Sequence, residues 1–375
     1  MRAILAALAV VALATACGAP APPRTAAAPA PPAGPATLPA PTGPHRVGTR
    51  TMYVEDDSRP DPWDPDARTR RLKVTLWYPA ERRDGERAPY MTPKESELNL
   101  KGGRIAGVPY DLLSRTRTHA VKDAEPAGRE LPLVVLSPGF TKPVSLLTSL
   151  AEDLASRGYA VAGIDHTHES YATTWRDGTV AECLACDSDT DPGFGARVVR
   201  GRAADVSFVL DRLADTGLVD PGRIAMAGQS IGGAAALAAM VTDPRVRAGI
   251  DLDGSTYARI PRGGLARPFM FVGTPQHGPG GGDGSWDRDW KLLTGWKRRL
   301  VVAGAEHQSF TDGPVLTAAF GVKPAAGIMA AGRAVELTRT YVAAFLDQHL
   351  RGTRQPLLDG PSPRHPEVTF GKERA

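Results

Sequence analysis

The sequence predicts a doubly wound α/β fold, a mostly parallel sheet with helices on both faces, and three observations carry that expectation. Short runs that are apolar at nearly every position, Pro132 to Leu136 and Tyr159 to Ile164 among them, read as strands buried on both faces of a parallel sheet. Amphipathic stretches separate such runs: Ser145 to Arg157 and Val198 to Leu213 each place their apolar residues at helical spacing. Finally, the apolar run Ile224 to Ala227 breaks at Gly228-Gln229-Ser230-Ile231-Gly232 and passes into an Ala-rich segment. That is the strand, sharp turn and helix of a G-x-S-x-G motif.

Taken in order, the chain opens with Arg2 and an apolar run from Ile4 to Leu13 that is too short to span a bilayer. Residues 1–16 read as an export signal. Leu13-Ala14-Thr15-Ala16-Cys17 resembles the lipobox of bacterial lipoproteins, with Cys17 as the lipidated residue and a membrane anchor implied, although Ala14 stands where leucine is usual. The competing reading is a secreted enzyme cleaved near Ala16. Residues 17–44 are dominated by Ala and Pro without apolar periodicity, as in an extended, disordered tether. A catalytic domain is expected over residues 45–352 and a tail over residues 353–375.

Inside the domain, Val47 to Glu55 and Leu72 to Tyr78 read as strands, the second by its alternation of Leu72, Val74 and Leu76 with Lys73 and Thr75. Residues 79–129 carry little periodicity. Regular alternation starts at Leu131. Strand Pro132 to Leu136 runs into Ser137-Pro138-Gly139-Phe140, and helix Ser145 to Arg157 is closed by Gly158 as a cap. Strand Tyr159 to Ile164 follows, then a long loop, helix Val198 to Leu213 and the Ser230 turn. Strands are expected at Val246 to Leu252, Pro268 to Val272 and Leu300 to Ala303, and a last helix at Val335 to Leu350.

Composition bounds the function. A chain of 375 residues accommodates one large α/β domain, and a monomer is expected. The formal charge of +4 is mild and its charges are mixed, so nucleic acid is not an expected partner. Cys183 and Cys186 form a C-x-x-C best read, in an exported protein, as a small disulfide loop. No second C-x-x-C and no three-ligand pattern around His166 and His168 points to a metal, and no cofactor is implied.

The chemistry centres on Ser230. Gly228 and Gly232 leave room for a strained turn, and the following helix N-terminus directs positive dipole and free N–H groups towards the serine oxygen. A serine nucleophile needs a base, itself oriented by a carboxylate. His307 lies just past the last strand and is the expected base, with His277 as its rival in a Gly-rich loop; His349 falls within the last helix. The acid is open between Asp253, at the tip of the strand after the elbow, and Asp283, one strand later. The N–H of Ile231 and that of Phe140 are the expected oxyanion donors. Gln229, His166 and Trp286 are candidates to line the substrate site. Trp286, Trp290, Leu293 and Trp296 also fit a helix packed on the sheet.

Taken together, Ser137-Pro138-Gly139-Phe140, Asp165-His166, the run Gly228 to Gly233, Leu252-Asp253-Gly254 and the run Gly304 to Asp312 resemble the plasma-type platelet-activating factor acetylhydrolases, bacterial exported members above all. The likeness runs from about Thr51 to Leu350. It implies an α/β-hydrolase fold and a serine carboxylester hydrolase acting on short-chain or phospholipid-type esters. It also places the acid on the Leu-Asp after the strand that follows the elbow, which is Asp253, and so favours a triad of Ser230, Asp253 and His307. A cutinase- or lipase-like enzyme, expected to use Asp283, is the rival enzymatic reading. A catalytically inactive envelope binding lipoprotein is the rival of another class.

Overall fold

The structure, a computed structural model, describes residues 34–81 and 84–371. The expected signal, Cys17 and most of the expected tether lie outside the described residues. Strands β1 (Arg46–Asp56) and β2 (Arg70–Ala80) form an antiparallel hairpin, helix α1 spans Pro93–Gly102, and β3 (Val121–Lys122) pairs with β1. The parallel part of the sheet comprises β4 (Leu131–Ser137), β5 (Ala160–His166), β8 (Val219–Gln229), β9 (Val246–Leu252), β10 (Phe269–Gly273) and β11 (Lys297–Val302). A separate small hairpin joins β6 (Thr173–Thr174) to β7 (Val180–Ala181). The helices are α2 (Thr148–Ser156), α3 (Phe194–Ala214), α4 (Ile231–Thr242), α5 (Ser285–Trp290), α6 (Gly313–Ala319) and α7 (Ala331–Leu350). Strand β12 (Val368–Phe370) ends the fold.

The ten-stranded sheet has the order β12-β11-β10-β9-β8-β4-β5-β2-β1-β3. Its central parallel strands are buried along almost their whole length, with β4 and β5 inaccessible from Leu133 to Ser137 and from Ala160 to His166, so apolar side chains are required on both faces. On one face α3 and α4 pack Val206, Val209, Leu210 and the alanines of α4. On the other, α2 and α7 pack Leu150, Leu154, Tyr341 and Phe345. The chain moves from β4 out to β5 and returns to β8, so the direction of winding reverses between β4 and β8. Ligands of open α/β sheets bind beyond the strand ends at such a point. This is an α/β-hydrolase fold.

Two expectations about the ends require correction. Residues 34–44 do not form a free tether: Leu38 is buried, its N–H meets the Arg117 carbonyl at 3.0 Å, and Thr42 donates to Asp153. The short apolar residues Ala36 and Leu38 find a partner surface on α1 and Leu113, a tertiary contact that local composition does not encode. The described part of the expected tail, residues 353–371, is likewise more than a tail, because β12 adds an antiparallel strand to β11 and Leu358 is buried. Helix α1 is a further addition. It starts at a capping box in which Thr92 and Glu95 satisfy each other's backbone N–H groups.

Candidate active site

Ser230 stands between β8 and α4 with φ 57° and ψ −131°, a conformation an L-residue enters only at a cost. The turn is possible because its flanks lack side chains. A Cβ on Gly228 would collide with the backbone of Gly232, and one on Gly254 would collide with the Ser230 carbonyl. The Ser230 N–H donates to the Leu252 carbonyl at 2.8 Å, tying the elbow to the end of β9.

The same strand end delivers the carboxylate. Asp253 also has a left-handed φ, 61°, and is buried. Its Oδ2 meets His307 Nδ1 at 2.7 Å, while Oδ1 accepts from the Thr274 N–H at 2.7 Å and meets His277 Nδ1 at 2.9 Å. Burial opposes its charge, yet the hydrogen bonds from His277, His307 and Thr274 outweigh it and hold the carboxyl well below the usual range. Asp251, two residues earlier on β9, is different. Burial raises it far above that range; its Oδ1 accepts from the Gly254 N–H at 2.8 Å. Asp251 therefore braces the turn.

His307 opens a one-turn 3-10 segment, His307–Phe310, anchored below by buried Phe310. The side chain stays 48% exposed, with Nδ1 engaged by Asp253. Gln229 fixes the loop from beneath, its Nε2 donating to the His307 carbonyl at 2.9 Å. Asp312, two residues beyond the segment and just before α6, is buried and accepts from Tyr90 Oη at 3.2 Å; burial pushes it up to about 7.

The loop after β4 closes the other side of the site. A Cβ on Gly139 would lie 3.4 Å from Ser230 Cβ, so this backbone passes directly over Ser230. Thr141 has φ 67° and donates its N–H to the Glu169 carbonyl at 2.9 Å. Among the described residues, the N–H groups of Phe140 and Ile231 have no hydrogen-bond acceptor.

Three candidates for lining the substrate site are placed elsewhere. Gln229 is buried beneath His307. His166 is buried between Asp205 and Ser137, because two arginines and three acids form an ion-pair network around it. Trp286 is wholly buried, with its indole N–H donating to the Gly254 carbonyl at 2.7 Å and its ring stacked on His277. The tryptophan stripe is not one helix: α5 stops at Trp290, and Trp296 packs on Phe345 and His349. Asp283 sits 3.4 Å from His277 Nε2 and accepts from Ser255, away from His307. Cys183 and Cys186 are joined in a disulfide.

A groove of about 710 Å³ runs beside the His307 loop, with Glu306, Gln308, Lys142, Leu146, Leu316 and Phe320 in its walls. This feature was not visible in the sequence, since its walls come from segments some 200 residues apart, such as Ile105 and Ile328. Among the described residues, no group of three or more His, Cys, Asp or Glu side chains could hold a metal ion.

Comparison with known proteins fits this architecture. The profile of the family described as platelet-activating factor acetylhydrolase, isoform II, matches residues 33–183, a stretch that includes the loop over Ser230 and ends before the elbow. A probable 1-alkyl-2-acetylglycerophosphocholine esterase of Arthroderma benhamiae is 30% identical over 64% of this chain and 66% of its own length. The platelet-activating factor acetylhydrolase of Canis lupus familiaris is 25% identical over 74% of this chain and 71% of its own. Among solved structures, a ferulic acid esterase from Streptomyces cinnamoneus superposes with a TM-score of 0.82 and 45% identity, over 90% of this chain and 99% of that one.

Proposed function

From a chain that belongs to the platelet-activating factor acetylhydrolase-like family of α/β-hydrolases and is a serine ester hydrolase, we propose an exported carboxylesterase in which Ser230, His307 and Asp253 form the catalytic triad. The observation that carries the reading is the His307 ring, half exposed and held through Nδ1 on a buried, anionic Asp253. With Nδ1–H fixed on that carboxylate, Nε2 is the basic nitrogen. It takes the Ser230 proton as the oxygen attacks the ester carbonyl. The Phe140 and Ile231 N–H groups, lacking other acceptors among the described residues, receive the oxyanion. His307 then protonates the departing alcohol, and water, deprotonated by the same nitrogen, releases the acid and restores Ser230.

The substrates proposed are short-chain or phospholipid-type esters, following the names of the fungal and mammalian relatives. The test is a p-nitrophenyl ester series from acetyl to palmitoyl, run beside Ser230→Ala. Turnover that disappears in Ser230→Ala and declines with acyl length supports the reading. No turnover on any ester by folded protein overturns it and favours a binding role, which failure to label with a fluorophosphonate would confirm.

A second reading, an esterase of aromatic acids, is favoured by an aromatic wall. Phe140 meets Phe194 edge-to-face at 5.0 Å, and half-exposed Tyr257 lies against Gly195. A higher kcat/KM on methyl ferulate than on p-nitrophenyl acetate would select it. Export rests on residues 1–16 and lipid anchoring on Cys17. Palmitate labelling in cells that is lost in Cys17→Ala would distinguish the anchored from the secreted form.

A further inference from the structure

Two histidines share one carboxylate. His307 engages Asp253 Oδ2, and His277, from the turn Pro275–His277 after β10, engages Oδ1 at 2.9 Å. His277 is not a second general base in this arrangement. It is buried, its Nδ1 is committed to Asp253, and its Nε2 faces Asp283 at 3.4 Å. Nδ1 is not free for Ser230, and Nε2, buried without a hydrogen-bond partner, lies on the Asp283 side of the ring.

Its surroundings hold the ring in that pose. Trp286 stacks on it with centroids 4.6 Å apart and planes 28° apart, and Trp286 is itself tied to the Gly254 carbonyl. The His277 N–H closes its own turn on the Thr274 carbonyl at 3.0 Å. On the far side, Asp283 is held by Ser255 and by the Ser285 N–H. Stacking on one face and a hydrogen bond through Nδ1 therefore hold a histidine that the proposed proton transfers do not use.

Asp253 explains the need for it. The residue sits in a left-handed backbone conformation just beyond the end of β9, its N–H donating to the Val272 carbonyl at 2.9 Å, a bond that fixes the main chain but leaves the rotation of the carboxylate to its side-chain contacts. A triad carboxylate must present one oxygen to histidine Nδ1 in a fixed direction, and a misplacement of about 1 Å costs on the order of a hundredfold in rate. The Thr274 N–H alone defines one contact to Oδ1; a second donor from a different direction fixes the carboxylate plane. We propose that His277 is a positioning residue for the triad acid, clamping Asp253 Oδ1 so that Oδ2 is held towards His307. The proposal rests on the triad reading above.

The test compares His277→Phe, which keeps a ring for Trp286 but has no N–H, with His277→Asn, whose amide nitrogen lies two bonds from Cβ as Nδ1 does. Both are measured on p-nitrophenyl acetate beside Asp253→Asn, with folding checked by circular dichroism and thermal melting. The expected result is a loss of about 10- to 100-fold in kcat for His277→Phe with KM unchanged, and recovery of most of that loss in His277→Asn. A folded His277→Phe with wild-type kcat overturns the proposal while leaving the triad intact, provided Asp253→Asn is inactive. Equal losses in both variants that track loss of folded protein also overturn it. A fully active Asp253→Asn removes the triad reading and this proposal together.

Discussion

Ser137, His166 and Asp205 make nearly the same chain of contacts that the proposed catalytic set requires, yet the two regions differ in every other respect. His166 Nδ1 meets Asp205 at 2.7 Å and Nε2 meets Ser137 Oγ at 3.0 Å, against 2.7 Å for His307 and Asp253. The first set is sealed. Asp205 also binds Arg70 and Arg59, and Arg202 donates to Ser137 Oγ and to the Pro138 carbonyl. Ser137 lies within β4 on ordinary strand backbone, whereas Ser230 is forced out of it. Burial, reinforced by Arg202, lowers the basicity of His166, while His307 is half open to solvent. A serine, a histidine and an aspartate in hydrogen-bond order are therefore not enough. Access, a strained serine and N–H groups without acceptors among the described residues distinguish the open set from one that anchors the loop over it.

Substitutions can break this contrast. The largest effect is expected for Ser230→Ala, which should cost at least about a thousandfold in kcat, whereas Ser137→Ala should stay within about tenfold; p-nitrophenyl acetate turnover by the two purified variants reads this directly. Next, Asp253→Asn should lose about 10⁴-fold in kcat while melting as a folded protein. Asp205→Asn should do the reverse. It leaves Arg70 buried beside an uncharged amide and is expected to cost about 3–5 kcal/mol in urea unfolding, with near-normal turnover per folded molecule.

A pH series sharpens the buried side. Burial raises the Asp205 carboxyl, but Arg70 and His166 override it and leave it far below the ordinary value of 3.8. A depressed carboxyl binds fewer protons folded than unfolded, so its contribution is complete above about pH 4 and is lost as pH falls towards the folded value. The stability gap between wild type and Asp205→Asn should be constant from about pH 5 to 7 and narrow below about pH 4. Urea midpoints across that range would show a gap that widens on acidification if the sign is wrong. The smallest effect is expected at Asp283→Asn, under about tenfold in kcat, since Asp283 reaches the acid only through His277.

The parallel strands and the elbow were legible because full burial permits only apolar residues there and the turn permits only glycine at its flanks. What packs by tertiary contact was not. Helix α1 was missed because it is polar along most of its length, with Leu100 its one buried apolar side chain. Strand β12 has three residues and no signature of its own. Trp286 misled because helical spacing continues past Trp290 in the sequence while the backbone turns, with Thr294 pairing to Leu265. His166 looked like a site residue because nothing local shows that Asp205, on a helix 39 positions later, neutralises its surroundings. Choosing Asp253 over Asp283 required the family resemblance.

The docked segment before β1 has a mechanical consequence. Thr42 bonds to Asp153, Gly43 to Ser156, and Arg339 of α7 grips the carbonyls of Pro39 and Ala40. A pull arriving through the N-terminus would meet these bonds before it reached the hairpin of β1 and β2. The segment is a strain relief: several hydrogen bonds stand between such tension and the sheet on which Ser230 is mounted.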